Sequence, residues 1–452
     1  MVAPIDRRAD ASPAPGTIDS ASARPTEAGR AVPERDAPDG GPPRGWAALD
    51  ALHEPRFRRL WLAGLCVNVG RWLDFIVLGW LVLVITESPF MVGLAAFCRF
   101  APMIVLGLFA GVLIDRFDRG RLIVGAQCTN LIVALVLTVL FGTGSGELWH
   151  LIALELVLGI AWAIDFPTRR AILFTLVGPK LVTNAVSLES VSMQGTKIVG
   201  PLVGGVLLAR VGPEAAYLVL AALYGCSLIL TATVARQVAP PTVGGAAESI
   251  VGSLAAGFRE ARGQPAIMGV LLITVWMNFL VFPYQQIMPV FARDVLHVGP
   301  ELLGLLVAAG GLGTLVAALW IAGRRDFTAH RQAFVGGSML SGVLVVAQAF
   351  TPGYEWALLI QFAIGLGDAG FGTMQSTIIL LAAHERARGR VLGILSVCIG
   401  MNPLGALWVG LATTYVGAPV AFGAGAALAL LLMAPVARRM LAGGERPLRV
   451  AA

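Results

Sequence analysis

Apolar runs of about 20 or more residues recur twelve times along this chain. They fall at about 60–84, 89–112, 122–142, 148–169, 185–209, 215–235, 266–291, 301–322, 333–350, 356–381, 391–415 and 419–437. At about 1.5 Å per helical residue, each crosses a hydrocarbon core about 30 Å thick. A chain inside lipid must satisfy its own backbone polar groups, and runs this long and unbroken do so as helices. Only 13% of the residues are charged, against about 25% in an ordinary soluble domain, and mean hydropathy is +0.78. The fold expected is an all-α membrane protein of twelve transmembrane helices.

The remaining residues exclude several kinds of chemistry. The only lysines are Lys180 and Lys197, and neither follows the glycine-rich loop of a phosphate cradle, which speaks against ATP-driven pumping. Cys66, Cys98, Cys128, Cys226 and Cys398 all lie in apolar runs without metal or redox spacing. The five histidines fall in connections or flanks, so an intramembrane proton relay would rest on carboxylates. Neither a metal nor another cofactor is expected, and no enzymatic constellation is visible. The net charge of +6 follows from where the arginines sit and does not indicate a nucleic-acid partner. The expected partner is the bilayer, with a monomeric assembly.

Five segments follow. Residues 1–55 form a Pro-, Gly- and Ala-rich tail without the apolar core of a signal peptide, expected to be disordered and cytoplasmic. Six helices occupy 56–235. A linker at 236–265 ends in an amphipathic stretch from Ser249 to Arg262. Six more helices occupy 266–437, and 438–452 is a short tail. Beyond residue 54 and outside the mid-span positions, 22 basic residues lie on the side shared by both termini and two, Arg210 and Arg293, on the other. The positive-inside rule then places both termini in the cytoplasm. The halves also echo each other: Gly93-Leu94 precedes Asp115 by 22 residues, and Gly304-Leu305 precedes Asp326 by the same interval. An internal two-copy repeat predicts a substrate site near the midplane, between the halves.

Ionisable residues within spans cost roughly 2.5–3.5 kcal/mol each on insertion scales and usually face a partner or a cavity. Asp74 and Arg99 lie at similar depths in the first two spans and are expected to pair, either as a structural lock or with a role in ion coupling or substrate contact, with Arg71 one turn from Asp74. Glu155 and Lys197, in the fourth and fifth spans, are candidates either for mutual neutralisation or for ion coupling. Asp368 is flanked by Gly365, Gly367 and Gly370 and is a cavity candidate. So are Arg71, Trp72 and the seventh-span group Trp276, Asn278, Tyr284 and Gln285, where Pro283 frees backbone groups that need partners. Asp165 and Arg169 are spaced as a helix-end ion pair.

One connection is densely charged. Gly111-Val-Leu-Ile-Asp115-Arg116-Phe-Asp118-Arg119-Gly120-Arg121 links the second and third spans. It resembles the signature loop of the major facilitator superfamily in the D-R-x-D-R form of its siderophore and macrolide exporters. The wider superfamily has Gly where this chain has Asp118 and a basic residue where it has Gly120. Asp165-Phe-Pro167-Thr-Arg169-Arg170 resembles the end of the fourth helix of that subgroup, and Gly200-Pro201-x-x-Gly204-Gly205 resembles the superfamily's antiporter motif in the fifth. Arg388-Gly389-Arg390 and Asn402-Pro403-Leu404-Gly405 resemble its tenth-to-eleventh connection. Where drug/proton antiporters carry an Arg four residues before a Gly in the fourth helix, this chain has Glu155 before Gly159.

The resemblance implies two six-helix bundles working by alternating access in the cytoplasmic membrane. It implies export of a small amphipathic compound, a siderophore-like metabolite or a drug, by proton antiport. Gly111, Asp115, Arg116, Arg119 and Arg121 would form the gating motif, and Gly200, Pro201, Gly204 and Gly205 a helix-packing motif. An uptake permease or facilitator of the same fold is the alternative.

Overall fold

A computed structural model describes residues 51–236, 250–324 and 328–442, apart from the side chains of residues 105, 107–116, 174, 178–180, 182, 183, 250, 251, 253, 254 and 386. The described residues form helices and short connections, without a strand. We label the spans α1 (Pro55–Thr86), α2 (Pro89–Arg116), α3 (Arg119–Gly142), α4 (Leu148–Val177), α5 (Asn184–Arg210) and α6 (Pro213–Ala235). The second set is α7 (Pro265–Val295), α8 (Pro300–Ala322), α9 (His330–Ala349), α10 (Tyr354–Ala382), α11 (Ala387–Val416) and α12 (Ala418–Ala442). Eleven of these are long and apolar enough to cross a membrane over their described residues. The other, α2, is a 28-residue helix whose described apolar part is Pro89–Ile104. Large apolar side chains such as Val139, Ile229 and Leu431 lie exposed on the outside, as helices bathed in lipid require.

Proline and one left-handed residue punctuate the helices. Glu87, at φ 51°, ends α1 by donating its N–H to the Leu83 carbonyl, and Pro89 opens α2 two residues later. Proline needs no donor partner in a first turn, so it starts α1, α6, α7 and α8 as well. Asp118 caps α3 by accepting the Arg121 N–H at 2.7 Å.

Backbone hydrogen bonding carries α4 and α5 through as one helix of 63 residues, Leu148–Arg210, where the sequence predicts two helices and a connection. It nevertheless doubles back. The Trp61 indole donates to the Leu188 carbonyl, and a Cβ on Gly204 would lie 2.8 Å from the Leu73 carbonyl, so α5 rises alongside α1. Arg169 bonds the Leu60 carbonyl, while Glu155 shares Arg99 with Asp74, so α4 runs the opposite way along α1. A straight rod would hold positions 155 and 204 about 70 Å apart.

Helices α1–α6 pack on one another, α7–α12 do likewise, and two crossings join the bundles. In the α2–α11 crossing, a Cβ on Gly93 would lie 3.1 Å from the Gly410 Cα. In the α5–α8 crossing, a Cβ on Gly205 would lie 3.1 Å from the Gly304 Cα. Both seams therefore depend on missing side chains. Gly93 and Gly304 are the two positions of the internal echo, so the repeat marks equivalent contacts between the halves. Gly200 and Gly204 pack on α1, while Pro201 and Gly205 face α8, so the G-P-x-x-G-G stretch serves two neighbours at once. The Arg210–Glu301 pair at 3.0 Å and the Arg293 bond to the Leu83 carbonyl lie at the same end, toward the α1–α2 turn.

The amphipathic stretch of the linker forms a helix, Ile250–Gly263, docked on the α10–α11 joint. A Cβ on Gly257 would meet the Arg390 carbonyl at 2.9 Å, and Glu260 Oε1 pairs with His384 Nδ1 at 2.7 Å. The sequence-based tail at 1–55 lies outside the described residues except for Ala51–Pro55, as does residue 326. α12 extends beyond the expected boundary at 437 to Ala442.

Two outcomes follow from these contacts. Gly304→Val forces the α5–α8 seam apart, so disulfide formation between cysteines placed at Arg210 and Glu301 should fall at least tenfold. The hydrogen bond to His384 holds the Glu260 carboxyl below the usual carboxylate range. Its contribution to linker docking is therefore complete above the ordinary glutamate value of about 4.3 and is lost as pH falls through the depressed value. Hydrogen exchange in 250–263 should accelerate over that acidic window, and Glu260→Gln should remove the pH dependence.

Candidate functional site

The most deeply buried charges form a triad inside the first bundle. Arg99 of α2 reaches between Asp74 of α1 and Glu155 of α4, and both acids are fully buried. Its Nη1 donates to Asp74 Oδ2 and to Glu155 Oε2, the latter at 2.9 Å, while Nη2 donates to the Arg71 carbonyl at 3.0 Å. Close approach of α2 and α4 makes this possible: a Cβ on Gly159 would collide with the Arg99 carbonyl and lie 3.0 Å from Pro102. The positive charge that drug antiporters carry on the fourth helix thus arrives here from α2. Asp74 Oδ1 and Glu155 Oε1 are left without hydrogen-bond partners.

The expected Asp74–Arg99 pairing matches the geometry, but two other pairings do not form. Glu155 bonds Arg99 and leaves Lys197 alone. Arg71 does not bond Asp74; its guanidinium lies 3.6 Å above the Trp162 ring. Beneath them a pocket is lined by Arg71, Arg99, Asn130, Trp162, Asp165 and Tyr224, among others. Asp165 closes its lower end, paired with Arg169 at 2.8 Å and accepting from Gln127 Nε2 at 2.8 Å.

A second cleft lies between the bundles. Trp72 and Lys197 line it from one side; Gln285, Thr314, Gln361 and Asp368 line it from the other. Lys197 Nζ stands 5.6 Å from the Trp72 ring, and Asp368 accepts from Ser341 Oγ at 2.8 Å. Tyr284 stands behind this wall, bonded through its hydroxyl to Gln361 Nε2 at 2.9 Å. Gln361 and Thr314 are absent from the sequence-based candidates. The signal for Gln361 is its position two turns before Asp368, on the same face of α10.

Trp276 and Asn278, expected in the cavity, do not line it. Trp276 packs against the apolar core, and the Asn278 amide donates to the Thr274 carbonyl at 2.9 Å inside a π-helical turn over Met277–Val281. Pro283 has no N–H to offer Phe279, and the Trp408 indole donates to that carbonyl instead. Gly405, from the N-P-L-G stretch, lets α11 sit against this irregular segment.

In the gating segment, the side chains of Gly111, Asp115 and Arg116 lie outside the described residues, although their backbone continues α2. Gly120, where the superfamily pattern has a basic residue, has a packing reason: a Cβ there would lie 2.6 Å from the Ala235 carbonyl. Arg119 and Arg121 begin α3.

Residues 46–445 match the family model described as transmembrane secretion effector. The chain belongs to that family. It is thereby a membrane transporter of the major facilitator type, within reach of the siderophore and drug exporters. Among relatives, it is 25% identical over 341 residues to the staphyloferrin A transporter of Staphylococcus aureus, covering 75% of this chain and 85% of the other. It is 23% identical to the multidrug efflux pump Tap of Mycolicibacterium fortuitum, covering 77% and 87%. Two solved structures share the fold. A bacterial homologue of the human lysosomal transporter Spinster, inward-facing and unoccupied, superposes with a TM-score of 0.62 at 16% identity over 85% of this chain and 95% of the other. A POT family transporter in complex with 5-aminolevulinic acid gives 0.67 at 9% identity, over 84% and 95%.

The triad predicts an asymmetry in stability. Removing Arg99 strands two buried carboxylates, and breaking a buried pair this way typically costs about 3–5 kcal/mol. Arg99→Gln should therefore melt far below the unsubstituted protein in detergent. Asp74→Asn and Glu155→Gln each leave Arg99 one carboxylate and should cost much less.

Proposed function

We propose that this family member is a proton-coupled antiporter exporting a small amphipathic compound across the cytoplasmic membrane, with both termini on the cytoplasmic side. The observation that carries the reading is the one guanidinium shared by two fully buried acids. One positive charge neutralises one carboxylate, so the second is a site for an exchangeable proton, held in the bundle whose α1 also lines the cleft. The names of the relatives, a siderophore transporter and a multidrug pump, support export of such a compound.

The bundle contacts fit one end of an alternating-access cycle. The glycine seams, the Arg210–Glu301 pair and the Arg293 bond all lie toward the α1–α2 turn, the outer face in this topology. We take the state as closed outside, with the cleft of Trp72, Lys197, Gln285 and Asp368 as the substrate site. Protonation of the triad weakens the hold of Arg99 on one acid and lets α1, α2 and α4 readjust, with the Asp115 segment stabilising one of the two states.

The decisive measurement is uptake of siderophores and macrolides into inverted membrane vesicles, with and without an imposed proton gradient. Gradient-dependent uptake is expected, and entry only into right-side-out vesicles would overturn export in favour of an uptake permease. In the same vesicles, Asp74→Asn or Glu155→Gln should abolish accumulation while sparing substrate exchange. Unchanged uphill transport in both variants would remove the triad from coupling.

A further inference from the structure

The cleft between the bundles differs from the triad in one respect that bears on its ligand. Every charge of the triad touches its counterion. Lys197, also mid-span, makes no salt bridge or hydrogen bond among the described residues. Its backbone is fixed where a Cβ on Gly311 would press on it at 3.0 Å, and its ammonium stands near the face of Trp72. The one carboxylate lining the same cleft, Asp368, accepts from the Ser341 hydroxyl through Oδ1 and attracts Lys197 across the cleft, without contacting it as an ion pair. Gln361 beside it is 5% exposed; its amide nitrogen is spent on Tyr284, and its Oε1 has no donor.

A cation placed at such depth, with its nearest acid across the cleft and out of contact, is costly unless something arrives to meet it. A buried amide oxygen without a donor is a smaller debt of the same kind. Accepting the cleft as the substrate site, we propose that the substrate carries a carboxylate or equivalent anionic group that docks on Lys197. A hydroxyl or N–H of the same molecule then donates to Gln361 Oε1 or Asp368, and its planar part lies against Trp72. Neutral amides lose the ionic contact, and lipophilic cations are repelled by Lys197. The substrate is thus an acidic metabolite, not a cationic drug.

Equilibrium dialysis of the purified full-length protein tests this with three probes: N-acetyltryptophan, its uncharged amide, and tetraphenylphosphonium. The carboxylate should bind at least tenfold tighter than the amide, with the phosphonium weakest. Lys197→Arg should keep that preference, and Lys197→Gln should erase it. Gln361→Glu puts a negative charge in the cleft with Lys197 in place, and should weaken carboxylate binding about tenfold. Equal binding of acid and amide, or preference for the phosphonium that these substitutions alter, would overturn the anionic substrate and leave the cleft as the site. Binding indifferent to all three substitutions, or absent for every probe, would overturn the cleft itself and the proposal with it.

Discussion

The two bundles meet where backbone touches backbone. At both crossings, α2 on α11 and α5 on α8, a glycine from each helix removes the side chain that would hold the pair apart. Inside lipid the hydrophobic effect does not drive helices together, so such seams rest on dispersion over a close, smooth contact. Contacts of this kind are strong in sum and undemanding in geometry, and they break without leaving polar groups unsatisfied. The only ion pair across the α5–α8 seam among the described residues, Arg210–Glu301, is largely exposed at the rim, where such pairs contribute at most about 1 kcal/mol. The joint between the halves is thus built to separate.

Polar groups are distributed to suit that joint. The triad is internal to the first bundle, so rocking of one bundle against the other does not by itself tear it. The cleft charges Lys197 and Asp368 come from different bundles, and their separation changes whenever the halves move. One charged site is insulated from the motion and one is subject to it. Coupling then needs a link, and α1 provides it, carrying Asp74 on the triad side and Trp72 on the cleft side within three residues.

Much of this was legible before any coordinates. Unbroken apolar runs define the spans, and equal depth along neighbouring helices brings Asp74 to Arg99. The Gly93 and Gly304 echo signals two related halves in the sequence, and packing shows that its two positions mark the two seams. Glu155 meets Arg99 and not Lys197 because depth constrains position along a helix but not rotation about it, and which face α4 turns to α2 depends on Gly159. The Asn278 amide has the composition of a ligand contact, and composition alone does not reveal the π-turn that consumes it. The reversal between α4 and α5 is invisible in hydrogen bonding and appears only through what each half touches on α1.

Arg99 sits between acids contributed by two different helices, and this bears on how such a chain changes over generations. A lineage that loses Asp74 still has Glu155 opposite the guanidinium, and one that loses Glu155 still has Asp74. Neither path passes through a stranded arginine in the membrane. Either acid is therefore open to loss without loss of the fold, and a descendant left with one acid opposite its arginine keeps the bundle while giving up the exchangeable proton.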